Sequence, residues 1–448
     1  NQSAERSAQA YLEFKPLDGK FDDNVVIQIK NGPLDFQPHE SFSPLFGAME
    51  DTKLGLEIQI TQEYLGAANH LVYLAPMWKE VLESDTYQDG EGSTVLKKIS
   101  ESSVIAGVAN IGEDANWCGH DFAQANWYAF GRLAWNPYLS SEEIAKEWIA
   151  QTFCTDPSFV DTVSKLMLDS WLAAVNYMTP LGLNFLASTG HHYGPLPWSR
   201  NNFHKAGALT IGVLRDAGVT QYNEPLKSKF GSIETCPEEN LLWFHAVSWD
   251  RVMKNGRTLW DALCLKYEEG VNQAAGFRNT WKEVKAYVDY NRFNNVLEKL
   301  ELQAEEAIWW KNACLLNFQS YHKKPFPEDV TEPVYSLDVL KSVSFSTNSI
   351  FGCPSVSEVY ENVISKKIQP TNDIDYTHLI INNDFDLAPD AECNPVIVTA
   401  NMDGWYNNAW RPTRSSCPSK QFYGWTHDTS VLGTSESQGI NADGGSSK

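Results

Sequence analysis

The sequence predicts an α/β segment, then an all-α segment, then an irregular C-terminal tail. Three observations carry this expectation. Short β-branched runs alternate with helical periodicity up to residue 136, and helix signals then follow one another to residue 323. Beyond that, short apolar runs, scattered cysteines and many Asn and Asp residues replace both patterns. Strand–helix–strand alternation is the signature of parallel strands joined by crossovers. The expected domains are therefore 1–136, 137–323 and 324–448, with the Gly- and Ser-rich end 434–448 disordered.

Asn24–Lys30 (NVVIQIK) is the first strand, bounded by Asp22-Asp23 and Asn31-Gly32-Pro33. Leu56–Thr61 is the second: Leu56, Ile58 and Ile60 face one way, and Glu57, Gln59 and Thr61 the other. Continuing that period puts Glu63 on the polar side, just beyond the strand end. A helix is expected over His70–Leu82, a buried strand over Val104–Ile111 and a helix over Phe122–Ala134. In the second segment Ser140 and Glu143 form a capping box. Asp156-Pro157 places an N-cap before a Pro at N1, opening a helix that runs to Tyr177. Pro237 starts another, and Thr258–Gln319 is helical with a break near Gly276. The stretch 180–235 reads as loops.

With 35 basic and 57 acidic residues the formal charge is −22. That repels phosphate backbones and anionic lipid surfaces, so neither nucleic acid nor a membrane is an expected partner. No run is long and apolar enough for a membrane span. The 16 Trp suit a packed core and also a sugar cleft, where an aromatic face stacks on a pyranose ring. The eight cysteines include no CxxC pair, so neither a zinc ribbon nor a redox centre is supported. Cys264 and Cys314 sit in helical apolar runs and read as buried thiols, while disulfide pairing among Cys353, Cys393 and Cys417 stays open. His191, His192 and His204 lack a ligand-helix spacing such as HExxH, so no metal and no cofactor is expected. With no initiator Met and no signal peptide, the chain is expected to begin at a processing site or within a larger protein.

Asp35 and Glu63 each lie just past the end of a parallel-type strand, on successive βα units. Two carboxylates there can share one water, as base and orienter for hydrolysis of a glycosidic bond. From spacing alone, a turn-capping Asp35 and a solvated Glu63 at a helix start remain open alternatives.

The run NVVIQIKNGPLDFQPHE, followed by SPLFGAM and LEIQITQEYLG, resembles glycoside hydrolase family 67, the α-glucuronidases of xylan breakdown. Further matches come in order: Asn116-Trp117-x-Gly-His120 into FAQANWYAFGRLAWNP, then Ser188-Thr189-Gly190-x-His192-Tyr193-Gly194-Pro195, Cys236-Pro237 with LLWFH, Gly256-Arg257-Thr258-Leu259-Trp260, and Trp309-Trp310 before ACLL. The resemblance covers residues 10 to 322, and several long motifs in order are far more specific than one short pattern.

The resemblance implies that residues 1–136 are the C-terminal half of a (β/α)8 barrel, whose strand ends gather catalytic groups. It implies that Asp35 and Glu63 jointly activate the attacking water and that Lys30 binds the uronate carboxylate, the local cation an acidic protein needs for an acidic sugar. The implied substrates are xylo-oligosaccharides bearing α-1,2-linked (4-O-methyl)glucuronic acid, cleaved with inversion by an extracellular, secreted enzyme. Trp117 and His120 are expected cleft residues, with a structural loop role as their alternative; Trp198 is expected to stack on sugar, with core packing as its rival. Subunit contacts through the helical domain of this family imply a homodimer.

Some features depart from the family. A (β/α)8 barrel takes about 250 residues, more than 1–136 supplies. The family's general acid, a Glu, precedes the KNGPxDFQ motif by more residues than precede Asp35 here, and a β-sandwich domain ahead of the barrel has no counterpart. The loop after Trp198 is short and lacks an expected tryptophan, which bears on recognition of the sugar's 4-position. Residues after 323 do not follow the family pattern. The expectation is a C-terminal part of a longer protein, with little hydrolysis by residues 1–448 alone; a non-catalytic uronate-binding module and a dimerising scaffold are the alternatives.

Overall fold

The computed structural model describes residues 6–111, 118–188, 192–199, 204–205, 208–209, 218–345 and 353–368. Helix α1 (Arg6–Phe14) leads to strand β1 (Ile27–Lys30), strand β2 (Leu54–Gln59), helices α2 (Ala75–Glu83) and α3 (Val95–Ser100), and strand β3 (Ile105–Val108). The three strands form one parallel sheet in the order β1-β2-β3, with Lys30 beside Glu57 and Gln59 beside Val108. Parallel pairing sets the C-terminal ends of all three strands on one side. The alternation expected of β2 puts Leu56, Ile58 and Ile60 in the core. β3 was expected to be buried, but its four residues are half-buried or exposed. It is an edge strand, and among the described residues only β2 pairs with it.

The helix expected over His70–Leu82 begins only at Ala75. A helix through residue 72 would need the N–H of Pro76 to reach the Val72 carbonyl, and proline has none. His70–Leu74 is instead an irregular buried strip whose backbone is satisfied by side chains from elsewhere. Gln303 accepts from Leu71 N (3.0 Å) and donates to Leu71 O (3.2 Å). Ser170 Oγ accepts from Tyr73 N (2.8 Å). Asn126 accepts from Leu74 N (2.8 Å) and donates to Val72 O (3.0 Å).

Helices α4 (Ala123–Trp135), α5 (Ser141–Thr152) and α6 (Pro157–Met178) follow. The Ser140–Glu143 capping box is present, and Asp156 accepts from Ser158 N (3.0 Å) and Phe159 N (3.2 Å) at the start of α6. Replacing Asp156 by alanine should cost about 1 kcal/mol; a urea melt should show a lower midpoint at unchanged slope. Then come strands β4 (His204–Lys205) and β5 (Ala208–Leu209), short helices α7 (Leu226–Phe230) and α8 (Leu241–Phe244), and strand β6 (Val247–Ser248), which completes an antiparallel trio in the order β4-β5-β6. Two long helices, α9 (Leu259–Glu283) and α10 (Tyr290–His322), dominate the remainder. The break between them falls after Glu283, not near Gly276. One glycine costs a long helix only about 1 kcal/mol, whereas Asp289 opens α10 by accepting from Arg292 N (3.1 Å).

One apolar core runs through both expected domains. Leu56 of β2, Trp78 of α2, Ala129 of α4, Trp171 of α6, Tyr267 of α9 and Trp310 of α10 belong to a single cluster. Cys264 and Cys314 are fully buried thiols within it, as expected. The stretch after residue 323 carries helices α11 (Leu337–Lys341) and α12 (Val356–Asn362). Its Tyr335, Leu340, Val359 and Val363 form a second cluster with Tyr193 and with Leu302, Trp309 and Ala313 of α10. Residues 369–448, with Cys393, Cys417 and the end expected to be disordered, lie outside the described residues. Among the described residues no helix is long and apolar enough to cross a membrane.

Candidate active site

Lys30 ends β1, and the following loop carries Asp35. The two side chains form an ion pair and are 38% and 42% exposed, so both stay open to a ligand. The Lys30 ammonium also lies 4.6 Å from the centre of the Phe36 ring, a cation–π distance. Phe36 takes φ +53°, a left-handed conformation that a side chain with a Cβ adopts only under constraint. The constraint is visible in the two residues that follow. Gln37 Oε1 accepts from Phe185 N (3.0 Å), and Pro38 O accepts from the Trp171 indole (2.9 Å).

Glu63 follows β2 on the face of Gln59, as the strand period requires. Gln59 Nε2 (2.6 Å) and Asn110 Nδ2 (2.9 Å) donate to one carboxylate oxygen, and His192 Nδ1 lies 2.6 Å from the other. Burial works against the charged carboxylate, yet His192, Gln59 and Asn110 outweigh it and hold the carboxyl below its usual range. The His192 ring stacks on Tyr64 with centroids 4.5 Å apart. The Tyr64 hydroxyl in turn donates to Asp35 Oδ2 (3.4 Å). The two loops are thereby joined, with Asp35 half-exposed and Glu63 seated deeper. Such an arrangement can bind a water between an exposed and a fixed carboxylate.

The Glu63 loop rests on a buried polar network. His70 Nε2 contacts Glu306 (2.5 Å), the Tyr193 hydroxyl donates to both Glu306 oxygens (2.6 and 2.7 Å), and His70 Nδ1 meets the Tyr177 hydroxyl (2.9 Å). Asn69 donates to the Tyr193 hydroxyl (2.7 Å) and to Pro354 O (3.1 Å), and accepts from Lys299 (2.5 Å). Gly66, at φ +82°, leaves room for the His70 ring: a Cβ there would fall inside it. Tyr193 is thus fixed next to His192, and through it the network reaches Glu63.

Sequence reasoning weighed His192 only as a zinc ligand, and it did not consider Asn110. The available signal was the STGxHYGP motif, which places His192 in a glycine-flanked loop. His120 is 1% exposed, with Nδ1 accepting from Phe122 N (3.0 Å), and burial pushes its pKa down to about 3. It is a neutral interior group whose Nε2 has no hydrogen-bond partner among the described residues. Trp198 is half-buried against the second apolar cluster. Trp117 and His191 lie outside the described residues, and of His204 only the backbone is described. Among the described residues no three His, Cys, Asp or Glu side chains gather as metal ligands.

A family model for the glycosyl hydrolase family 67 middle domain matches residues 1–117, and one for the family 67 C-terminus matches residues 118–331. The chain is 40% identical over 343 residues to alpha-glucuronidase A of Emericella nidulans, covering 73% of this chain and 40% of that protein. It is 39% identical over 335 residues to a probable alpha-glucuronidase A of Aspergillus fumigatus, covering 71% and 40%. It is 37% identical over 327 residues to the alpha-glucuronidase of Hypocrea jecorina, covering 69% and 39%. The chain therefore spans about 40% of the length of the curated relatives it matches. With the two matched regions adjoining and the Asp35–Glu63 motifs falling inside the first, the chain belongs to glycosyl hydrolase family 67.

Proposed function

We propose that Asp35 and Glu63 together activate the water that attacks a glycosidic bond, while Lys30 holds the carboxylate of a terminal uronic acid. The observation that carries this reading is the pairing itself. Two carboxylates from the C-terminal ends of adjacent parallel strands are linked through Tyr64, one kept ionised by three donors and the other beside an exposed lysine. A base needs its proton off, and the groups around Glu63 favour its ionised form. The relatives in Emericella nidulans and Hypocrea jecorina are named alpha-glucuronidases, which supports that activity for the protein carrying this sequence.

On this reading the substrates are xylo-oligosaccharides with α-1,2-linked (4-O-methyl)glucuronic acid. Hydrolysis inverts the anomeric centre: water attacks from the Asp35–Glu63 side while an acid on the opposite face protonates the leaving oxygen. The β1-β2-β3 sheet would be part of a (β/α)8 barrel. The half-buried apolar residues Ile105 and Val108 on edge strand β3 support this, since closure would cover them. An enzyme that meets plant-wall fragments works outside the cell, so we place it among secreted proteins.

The uronate anchor has a direct test in the complete protein. Lys30→Met should weaken binding of free glucuronic acid about 10- to 100-fold, the worth of a charge-assisted hydrogen bond. Calorimetry with xylobiose, which has no carboxylate, should show no comparable loss. Equal affinity of parent and variant for glucuronic acid would remove Lys30 from the role.

A further inference from the structure

Glu40 takes no part in the reaction described above, yet its side chain is the one around which the Asp35 loop is folded. It is 4% exposed. One carboxylate oxygen accepts from Leu34 N (2.8 Å) and the other from Gln37 N (2.6 Å). These donors bracket Asp35 and Phe36, so the two bonds close the loop around the carboxylate. Gly32 makes the space: a Cβ at that position would fall within the Glu40 side chain. The left-handed backbone of Phe36 lies inside the same bracket. Strained backbone of this kind persists only where its surroundings over-determine it. The Lys30 backbone lies outside this clamp, in the β1–β2 ladder opposite Glu57, although its ammonium reaches Asp35 and Phe36 within it.

We propose that Glu40 is a positioning residue that aims Asp35 at the attacking water and that glutamine cannot replace it. The inference rests on the assignment of Asp35 to water activation. A carboxylate offers an acceptor to each N–H, whereas a glutamine offers one oxygen and sets its amide N–H₂ against the second donor. One loop bond is lost and a buried N–H is left facing another donor. The loop that loosens carries Asp35 and not Lys30, so turnover should suffer more than binding.

Protonation of Glu40 weakens the clamp in the same direction as the glutamine substitution, because one oxygen then carries a proton. The titratable and charged groups facing Glu40 are Asp35 and Lys30 from its own loop and strand, and Tyr222 from the segment before α7. Burial pushes the Glu40 carboxyl up to about 7; the Leu34 and Gln37 amides oppose this, Asp35 adds to it and Lys30 opposes it. As pH falls through that value, one oxygen gains a proton and the parent loop loses part of its advantage over the glutamine loop.

The test is steady-state hydrolysis of aldouronic acid by the complete protein across a pH series spanning neutrality. Above pH 7, Glu40→Gln should lower kcat about 100-fold, the usual effect of a catalytic group misplaced by about 1 Å, with KM within about threefold. The deficit should shrink as pH falls through about 7, because the parent loses part of its kcat there. Gly32→Ala, which drives a methyl group into the carboxylate, should give the same kcat-against-KM split. A kcat for Glu40→Gln equal to the parent's above neutrality, or a deficit that does not change with pH, overturns the proposal. Should neither variant fold, the parent decides alone: a kcat that stays flat through neutrality also overturns it. Asp35→Asn separates the two layers. If that variant is inactive while Glu40→Gln is unaffected, only the positioning role falls; if it keeps full activity, the reading of Asp35 falls and the inference with it.

Discussion

Glu63→Gln should lower kcat of the complete protein by about 10²- to 10⁴-fold, the range that positioned acid–base groups contribute, while KM for aldouronic acid stays within about threefold. Glutamine has the shape of the carboxylate, so the cleft keeps its outline. Its oxygen can still accept from Gln59 and Asn110, and its N–H₂ then faces His192 Nδ1, which must turn from donor to acceptor. What is lost is a lone pair able to take a proton from water. The pH behaviour follows from the direction of the shift. Glu63 is held below the usual glutamate range by donors that outweigh burial. Its share of stability is therefore fully present above the unfolded pKa and is lost as pH falls through the depressed folded value. In Glu63→Gln that acid-side loss of stability should be smaller, which thermal melts in a pH series would read. A variant with parental kcat would remove Glu63 from the chemistry.

Glu306→Ala should be the most damaging single change away from the loops that carry Asp35 and Glu63. Glu306 is 1% exposed and accepts from both His70 and Tyr193. Removing it strands both partners in the core, and breaking such a buried pair costs about 3–5 kcal/mol. That is a large share of the roughly 5–15 kcal/mol by which domains are stable. The loss should appear as a lower urea midpoint. Glu306→Gln, which keeps an acceptor, should lose less. Because Tyr193 precedes Gly194 and follows His192, the alanine variant should also loosen the Glu63 contact and reduce kcat in the protein that remains folded. Coincident melts for parent and Glu306→Ala would mean that the network is not what supports this loop.

What could be read from the sequence was whatever depends on neighbours along the chain. The period of Leu56, Ile58 and Ile60 gave strand β2 and the face of Glu63. Ser140 and Asp156 marked their helix starts because capping is a matter of two or three residues. The irregular strip His70–Leu74 was not legible, because Gln303, Ser170 and Asn126, which satisfy its backbone, are far away in sequence. His192 lies 129 residues from Glu63, so nothing in the local pattern of either residue announces the contact. The exposure of β3 was hidden for a related reason: an apolar run reads alike at the centre of a sheet and at its edge. Gly276 misled because a glycine weakens a helix without ending it, and the cap at Asp289 decided the break. Trp117 and residues 369–448 lie outside the described residues, so the expectations placed on them stand as sequence expectations.

The most direct measurement of water activation by this pair is azide rescue of Glu63→Ala in the complete protein acting on aldouronic acid. Azide is already an anion and needs no base, so it can attack where water no longer can. If Glu63 and Asp35 activate water on the face opposite the leaving group, azide should restore turnover and the product should be the β-glucuronosyl azide. Failure of azide to restore turnover in a folded variant, or release of the α-azide, would contradict the account.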